Sequence, residues 1–191
     1  MQLEAQSEGV RVDDYLAGED GSEIKHEYIG GTLYAMAGTT KQHNQLAGNV
    51  YALLHRALRG GRCQAFISDV KVRLKIMGDD VFYYPDVVVG CDPRDKHRHF
   101  LCFPKVTIEV LSGSTERLDR REKRWSFQTL DTLEEYVLVA QAQVEVTVFR
   151  RANNWQPEVI TGMRQKVELK SLKMKLPVSA IYEGVPLGKR P

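Results

Sequence analysis

From Val106 to Ser112 the chain reads Val-Thr-Ile-Glu-Val-Leu-Ser, an apolar and largely β-branched run with one carboxylate, Glu109, inside it. Such a run is the pattern of a strand covered on both faces, as in the interior of a layered α/β fold. A carboxylate at that position loses several kcal/mol of hydration unless a cation, a donor or a proton compensates it. A second run, Tyr84-Pro85-Asp86-Val87-Val88-Val89, also carries a single carboxylate, Asp86, directly after a proline. Proline is tolerated there because the first residue of a strand need not donate to a ladder. These two acids are the features around which the remaining elements are arranged.

Upstream, Val12-Asp13-Asp14-Tyr15-Leu16 suggests a short helix, and Ile24–Ile29 with Thr32–Ala37 flank Gly30-Gly31 as a hairpin. Two glycines supply the positive φ that a tight turn needs. In that register Glu27 lies opposite Tyr34 and is either a solvent-facing strand carboxylate or a third acid beside the site. Leu46, Val50, Leu53, Leu54 and Ala57 recur at helical spacing, which predicts an amphipathic helix over Lys41–Leu58 ended by Gly60-Gly61. His43 falls in its first turn on the Leu46 face. Val70 to Ile76 alternates, with Lys71, Arg73 and Lys75 on one face, either solvated or bordering a phosphate backbone. The chain then turns through Met77-Gly78-Asp79-Asp80 into Val81 to Val89.

Between the two acid-bearing runs, Cys91, His97, His99 and Cys102 lie in a polar loop, with zinc-type ligands at a spacing of no common structural site; a plain surface loop is the simpler reading. Ser112-Gly113-Ser114-Thr115 opens a highly charged helix over Glu116–Leu130. On its wheel Lys123 falls between Phe127 and Leu130, with Asp119 one turn earlier, so Lys123 either reaches a polar pocket or forms a surface pair with Asp119. Further strands are expected at Glu135–Ala140, Val144–Arg151, Trp155–Thr161 and Lys166–Leu169, with a turn of helix near Ala180–Tyr182. The run from Val144 to Arg150 alternates like a half-exposed antiparallel strand.

Composition narrows the class. The 191 residues fit a single domain, 1–191, and 42% hydrophobic with 27% charged residues is ordinary for a globular protein. No apolar stretch approaches the roughly 18 residues of a membrane span, and no basic-then-apolar signal pattern opens the chain, so a cytoplasmic protein is expected. Cys63, Cys91 and Cys102 are odd in number and form no CxxC, which argues for thiols. A net charge of +2 permits a polyanion partner without requiring one. Two carboxylates on neighbouring buried strands with a lysine on the next helix suit a site for Mg²⁺ or Mn²⁺ that activates water against a phosphodiester.

His26-Glu27-Tyr28-Ile29-Gly30-Gly31, Met36-Ala37-Gly38, His43, Tyr84-Pro85-Asp86-Val87, Ile108-Glu109-Val110-Leu111-Ser112, Ser114-Thr115-Glu116, Asp119, Lys123 and Glu135-Tyr136 together resemble the Uma-two family of restriction-endonuclease-like proteins, within the PD-(D/E)XK nuclease superfamily. The resemblance runs from Leu16 to Trp155. It implies an α/β (α+β) restriction-endonuclease-like core, a mixed β-sheet flanked by helices, and an endodeoxyribonuclease that uses Mg²⁺ or Mn²⁺ on DNA, acting as a homodimer. Asp86 and Glu109 would be the metal ligands, Lys123 would assist the water, and Glu27 would add a further acidic contact. The superfamily lysine two positions after the second acid would fall at Leu111, and the resemblance moves it to Lys123. Lys71, Arg73, Arg120 and His43 are candidate nucleic-acid contacts. The alternatives are a non-catalytic nucleic-acid-binding or interaction domain of the same fold, and a zinc-stabilised module on Cys91, His97, His99 and Cys102.

Overall fold

A computed structural model describes residues 9–111 and 122–187. Its architecture is α+β, with mixed sheets flanked by helices. Helix α1 (Val12–Glu19) leads into strands β1 (His26–Ile29) and β2 (Thr32–Ala35), helix α2 (Lys41–Leu58), and strands β3 (Gln64–Ile67), β4 (Lys71–Ile76), β5 (Asp79–Tyr83), β6 (Val87–Gly90), β7 (Phe100–Leu101) and β8 (Pro104–Leu111). Helix α3 (Arg124–Gln128) is followed by β9 (Glu135–Ala140), β10 (Val146–Arg150), β11 (Pro157–Ile160), β12 (Lys166–Leu169), β13 (Met174–Pro177) and helix α4 (Val178–Ile181).

Two sheets pack face to face. One has the order β2-β1-β5-β4-β7, the other β11-β10-β9-β8-β6-β3, and β12-β13 form a small third sheet. Alternation along the strands sorts the apolar groups. Val81 and Tyr83 of β5 point into the layer between the large sheets, where they meet Val88, Leu111, Leu138 and Phe127. Phe82 points the other way, into the cluster under α1 with Tyr15, Tyr28 and Phe100. On its outer face the six-stranded sheet carries Val87, Val89, Val106, Ile108 and Val110, covered by Leu46, Val50 and Leu54 of α2 and by the C-terminal hairpin. The sheets therefore form the middle of a layered stack, as a strand apolar on both faces requires.

Helix α2 takes the predicted bounds because both ends are specified locally. The Thr40 hydroxyl accepts the His43 N–H at 3.1 Å, and Gly60 just beyond adopts φ +77°. Gly30 and Gly31 at φ +53° and +94° close the β1–β2 hairpin, and Glu27 pairs with Tyr34 as the register requires.

Val81 to Val89 contributes to two strands, β5 and β6. Phe82 pairs with Tyr28 in one sheet and Val87 with Ile108 in the other, so Tyr84-Pro85-Asp86 is where the chain crosses between the sheets. Proline suits that crossing, since it has no N–H to leave unpaired. Strands β8 and β9 are parallel, and the described part of the connection between them, from residue 122 on, lies on the face that carries Glu109 and Leu111, with Phe127 and Leu133 packed in the same layer. That crossover delivers Lys123 to the acids' side of the sheet.

Two expectations are corrected. Cys63 and Cys91 are joined by a disulfide instead of remaining thiols, because pairing of Gln64 with Gly90 brings the residues just beyond the ladder to a Cα separation of 4.1 Å. Strand β10 is buried along its whole length instead of half-exposed, since β9, β11 and the C-terminal hairpin surround it. No helix among the described residues is long and apolar enough to cross a membrane.

Candidate functional site

The two sheets meet at Tyr84–Asp86, and the sequence-predicted acids converge there. Asp86 Oδ2 accepts the Val110 N–H at 2.7 Å, and Glu109 Oε2 accepts the Asp86 N–H at 3.4 Å. Each acid is thus tied to the backbone of the other's strand, which holds both carboxylates at one end of the β6–β8 pair. Glu109 is 4% exposed, whereas the Asp86 side chain keeps a solvent-facing edge at 20%. The remaining Asp86 oxygen, Oδ1, lies 2.7 Å from His43 Nε2 in the first turn of α2. An ionised carboxylate can only accept, so Nε2 carries the proton of this bond. The other ring nitrogen, Nδ1, is buried and has no hydrogen-bond partner among the described residues. His43, expected as a nucleic-acid contact, therefore spends its accessible nitrogen on Asp86.

Glu27 and Lys123 form the adjoining half. Lys123 Nζ donates to Glu27 Oε1 at 2.7 Å, both side chains are nearly enclosed, and the ammonium lies 5.3 Å from the centre of the Tyr83 ring. Tyr84 N–H donates to the same Glu27 oxygen at 3.3 Å. One short backbone segment thus supplies an N–H to each buried glutamate, from Tyr84 to Glu27 and from Asp86 to Glu109. Glu27 is not a solvent-facing carboxylate, and Lys123 points inward from the start of α3. Asp119, its expected surface partner, and Arg120 lie outside the described residues.

The basic stripe on β4, read as either a solvated face or a phosphate-contacting one, is divided: Lys75 is exposed, whereas Lys71 is buried. Lys71 is 6% exposed, donates to the Tyr84 hydroxyl at 3.0 Å and sits over the Tyr15 and Tyr84 rings. Tyr84 in turn donates to Glu19 Oε2 at 2.6 Å, so α1 closes over this face. Burial pushes the Lys71 ammonium below its ordinary range and the Tyr84 hydroxyl above its own. Arg73 is held by Asp80 Oδ1 at 2.8 Å. Sequence alternation could place these bases on one face but could not show that a helix covers it.

The zinc alternative fails on its donors. Cys91 is spent in the disulfide with Cys63, and among the described residues no group of three or more His, Cys, Asp or Glu side chains could cage a metal. Asp86 and Glu109 offer a different donor set: hard carboxylate oxygens, two in number. Mg²⁺ is commonly held by one or two carboxylates together with waters and substrate phosphate, so the pair fits such an ion without a cage.

The family model described as "Putative restriction endonuclease", Uma2, matches residues 12–179. The chain belongs to the Uma2 family. Among curated relatives, the Synechocystis protein slr1290 is 34% identical over 175 residues, covering 91% of each chain. A second Synechocystis protein, sll1609, is 28% identical over 166 residues, covering 84% of this chain and 93% of its own. Among solved structures, one described as a "putative nuclease belonging to DUF820" from Anabaena variabilis aligns with a TM-score of 0.72 at 17% identity, over 89% of this chain and 96% of that one. The Uma2 core described above is thus a nuclease-like, restriction-endonuclease-like fold.

Proposed function

We propose that this chain is a divalent-metal-dependent nuclease that hydrolyses phosphodiester bonds of DNA, with Asp86 and Glu109 as the metal ligands. The observation that carries the reading is the interlock of the two acids, each accepting a hydrogen bond from the backbone beside the other. Like charges held together in a desolvated recess repel, and a divalent cation removes that repulsion. When bound, Mg²⁺ or Mn²⁺ supplies Lewis-acid stabilisation of the phosphoryl oxygens and acidifies a water molecule.

The chain's own residues do the rest. His43 holds Asp86 Oδ1 in place and fixes the carboxylate's rotation. Lys123 brings a positive charge and N–H donors to the recess, and there it orients a nucleophilic water or neutralises charge growing on the phosphate. Glu27 keeps that ammonium at the recess by ion pairing, which makes it a positioning residue for Lys123. The burial of Glu27, Glu109 and Lys123 excludes bulk water and strengthens these interactions.

The test is titration of Mg²⁺ and Mn²⁺ into wild type and Glu109→Gln by calorimetry, with plasmid nicking assayed on the same samples. Metal binding and nicking are expected in wild type and lost together in the variant. Wild-type protein that binds neither ion, with or without DNA, rules the catalytic reading out and leaves a nucleic-acid-binding or interaction domain of nuclease fold.

A further inference from the structure

Tyr34 is placed by its register, not by a contact. It pairs directly with Glu27 across the β1–β2 hairpin, so both side chains leave the same face with Cβ atoms about 5 Å apart. Glu27 turns into the recess toward Lys123, yet Tyr34 is 52% exposed and makes no hydrogen bond or ring contact among the described residues. All of β2 is exposed, and β2 ends its sheet, so among the described residues no further strand covers it. The exposed stretch continues through Ala37–Thr40 to the start of α2, where His43 meets Asp86. An open shelf with one aromatic ring on it therefore borders the recess from Glu27 to Asp86.

Of the two acids beside the shelf, Asp86 keeps a solvent-facing edge and Glu109 behind it is almost completely buried. A phosphate that reaches them must leave the line of a regular duplex backbone, which an unpaired strand does at little cost and a stacked duplex does not. A strand drawn into the recess carries its neighbouring base with it, and an exposed tyrosine ring at the mouth presents a surface on which any base can stack.

We infer that Tyr34 is a base-stacking platform and that the site takes a phosphodiester flanked by an unpaired nucleotide, as in single-stranded DNA or a frayed end. The inference rests on the nuclease reading above and adds to it the strand state of the substrate. Stacking uses the ring and not the hydroxyl, so Phe substitutes for Tyr and Ala does not.

The experiment measures binding of fluorescently labelled oligothymidylate and of a blunt duplex, by anisotropy with Ca²⁺ present, for wild type, Tyr34→Phe and Tyr34→Ala. Circular dichroism confirms that each variant is folded, as expected for an exposed edge position. Tyr34→Ala is expected to weaken single-strand binding roughly fivefold to a hundredfold, the effect of losing one stacked base. Tyr34→Phe should keep wild-type affinity, and duplex binding should change far less in both variants. Unchanged affinity of Tyr34→Ala, an equal loss on both strand forms, or a loss in Tyr34→Phe as large as in Tyr34→Ala each overturns the inference. Plasmid nicking by a wild type that meets any of those outcomes leaves the nuclease reading standing. A wild type that binds neither DNA form and nicks nothing overturns both.

Discussion

Glu109 and Glu135 sit on neighbouring parallel strands of one sheet, are 4% and 1% exposed, and point to opposite faces. What surrounds them differs in kind. Glu135 faces the outer layer, where Arg150 Nε donates to it at 3.0 Å, the Lys170 and Ser171 N–H groups at 2.9 and 3.2 Å, and the Ser171 hydroxyl at 2.6 Å. Arg150 is itself shared with Glu158 and with the Glu168 carbonyl at 2.6 Å. That face is sealed by the C-terminal hairpin and the turn at Lys170–Leu172. Glu109 faces the layer between the sheets, beside a second carboxylate whose edge reaches solvent. A buried acid matched to a guanidinium and backbone donors pins a fold together. A buried acid set beside another acid at an opening attracts a cation from outside. Depth alone does not separate a structural carboxylate from a functional one; a neighbouring acid that reaches solvent does.

The largest effect that would break or sharpen this contrast is on stability. Glu135→Gln leaves the buried Arg150 only the half-exposed Glu158 as counter-charge and sets a donor among N–H groups, at a cost of about 3 kcal/mol. Glu109→Gln keeps an oxygen to accept the Asp86 N–H and lowers the negative charge beside Asp86, so in metal-free buffer its cost should be the smaller of the two. Urea denaturation of the two variants decides the matter, and equal costs would dissolve the distinction between the two faces.

The Glu27–Lys123 pair tests the intermediate case, an ion pair of structural geometry placed at the functional side. Lys123→Met strands the buried Glu27 carboxylate and should cost about 3 kcal/mol. Adding Glu27→Gln should recover most of that loss, because the stranded charge is gone. Nicking should not return with it, since the ammonium is still missing. Recovery of both stability and nicking in the double variant would make the pair structural, like Glu135 and Arg150.

How much of this was legible in the sequence depends on how local each determinant is. Helix α2 was readable because the apolar spacing and Gly60-Gly61 lie within it or at its end, and Thr40, which caps it, adjoins its first residue. The hairpin was readable because Gly30-Gly31 sets its register. The apolar character of β8 was plain, and so was the oddity of Glu109 within it. Features that depend on distant chain were not. Lys71 looks like part of a solvated stripe until Tyr15 and Glu19 close over it from α1. Pro85 marks the start of a strand, but that the chain on either side of it is drawn into different sheets is not visible locally. The partner of Lys123 is 96 residues away, and no spacing rule reaches that far. His43 on the Leu46 face was visible, but its contact with Asp86 depends on α2 lying across β6, a packing fact.

The smallest expected effect bears on that last contact. Glu135 is oriented by donors from its own sheet and the adjoining turn, whereas Asp86 takes one of its bonds from a side chain on the covering helix. Removing that side chain should disturb what Asp86 binds more than what it holds together. His43 sits at the first turn of α2, where Thr40 caps the helix independently of the ring, so His43→Ala should leave α2 intact and lower stability only modestly. Loss of the partner that fixes a ligand's orientation typically weakens metal binding about 10- to 100-fold. Calorimetric titration of Mn²⁺ into His43→Ala should therefore show weaker binding of unchanged stoichiometry, and His43→Gln, which keeps an N–H donor, should recover part of the affinity. Wild-type affinity in His43→Ala would mean that the Val110 N–H alone orients Asp86, and the helix would then contribute packing but no control over the acid.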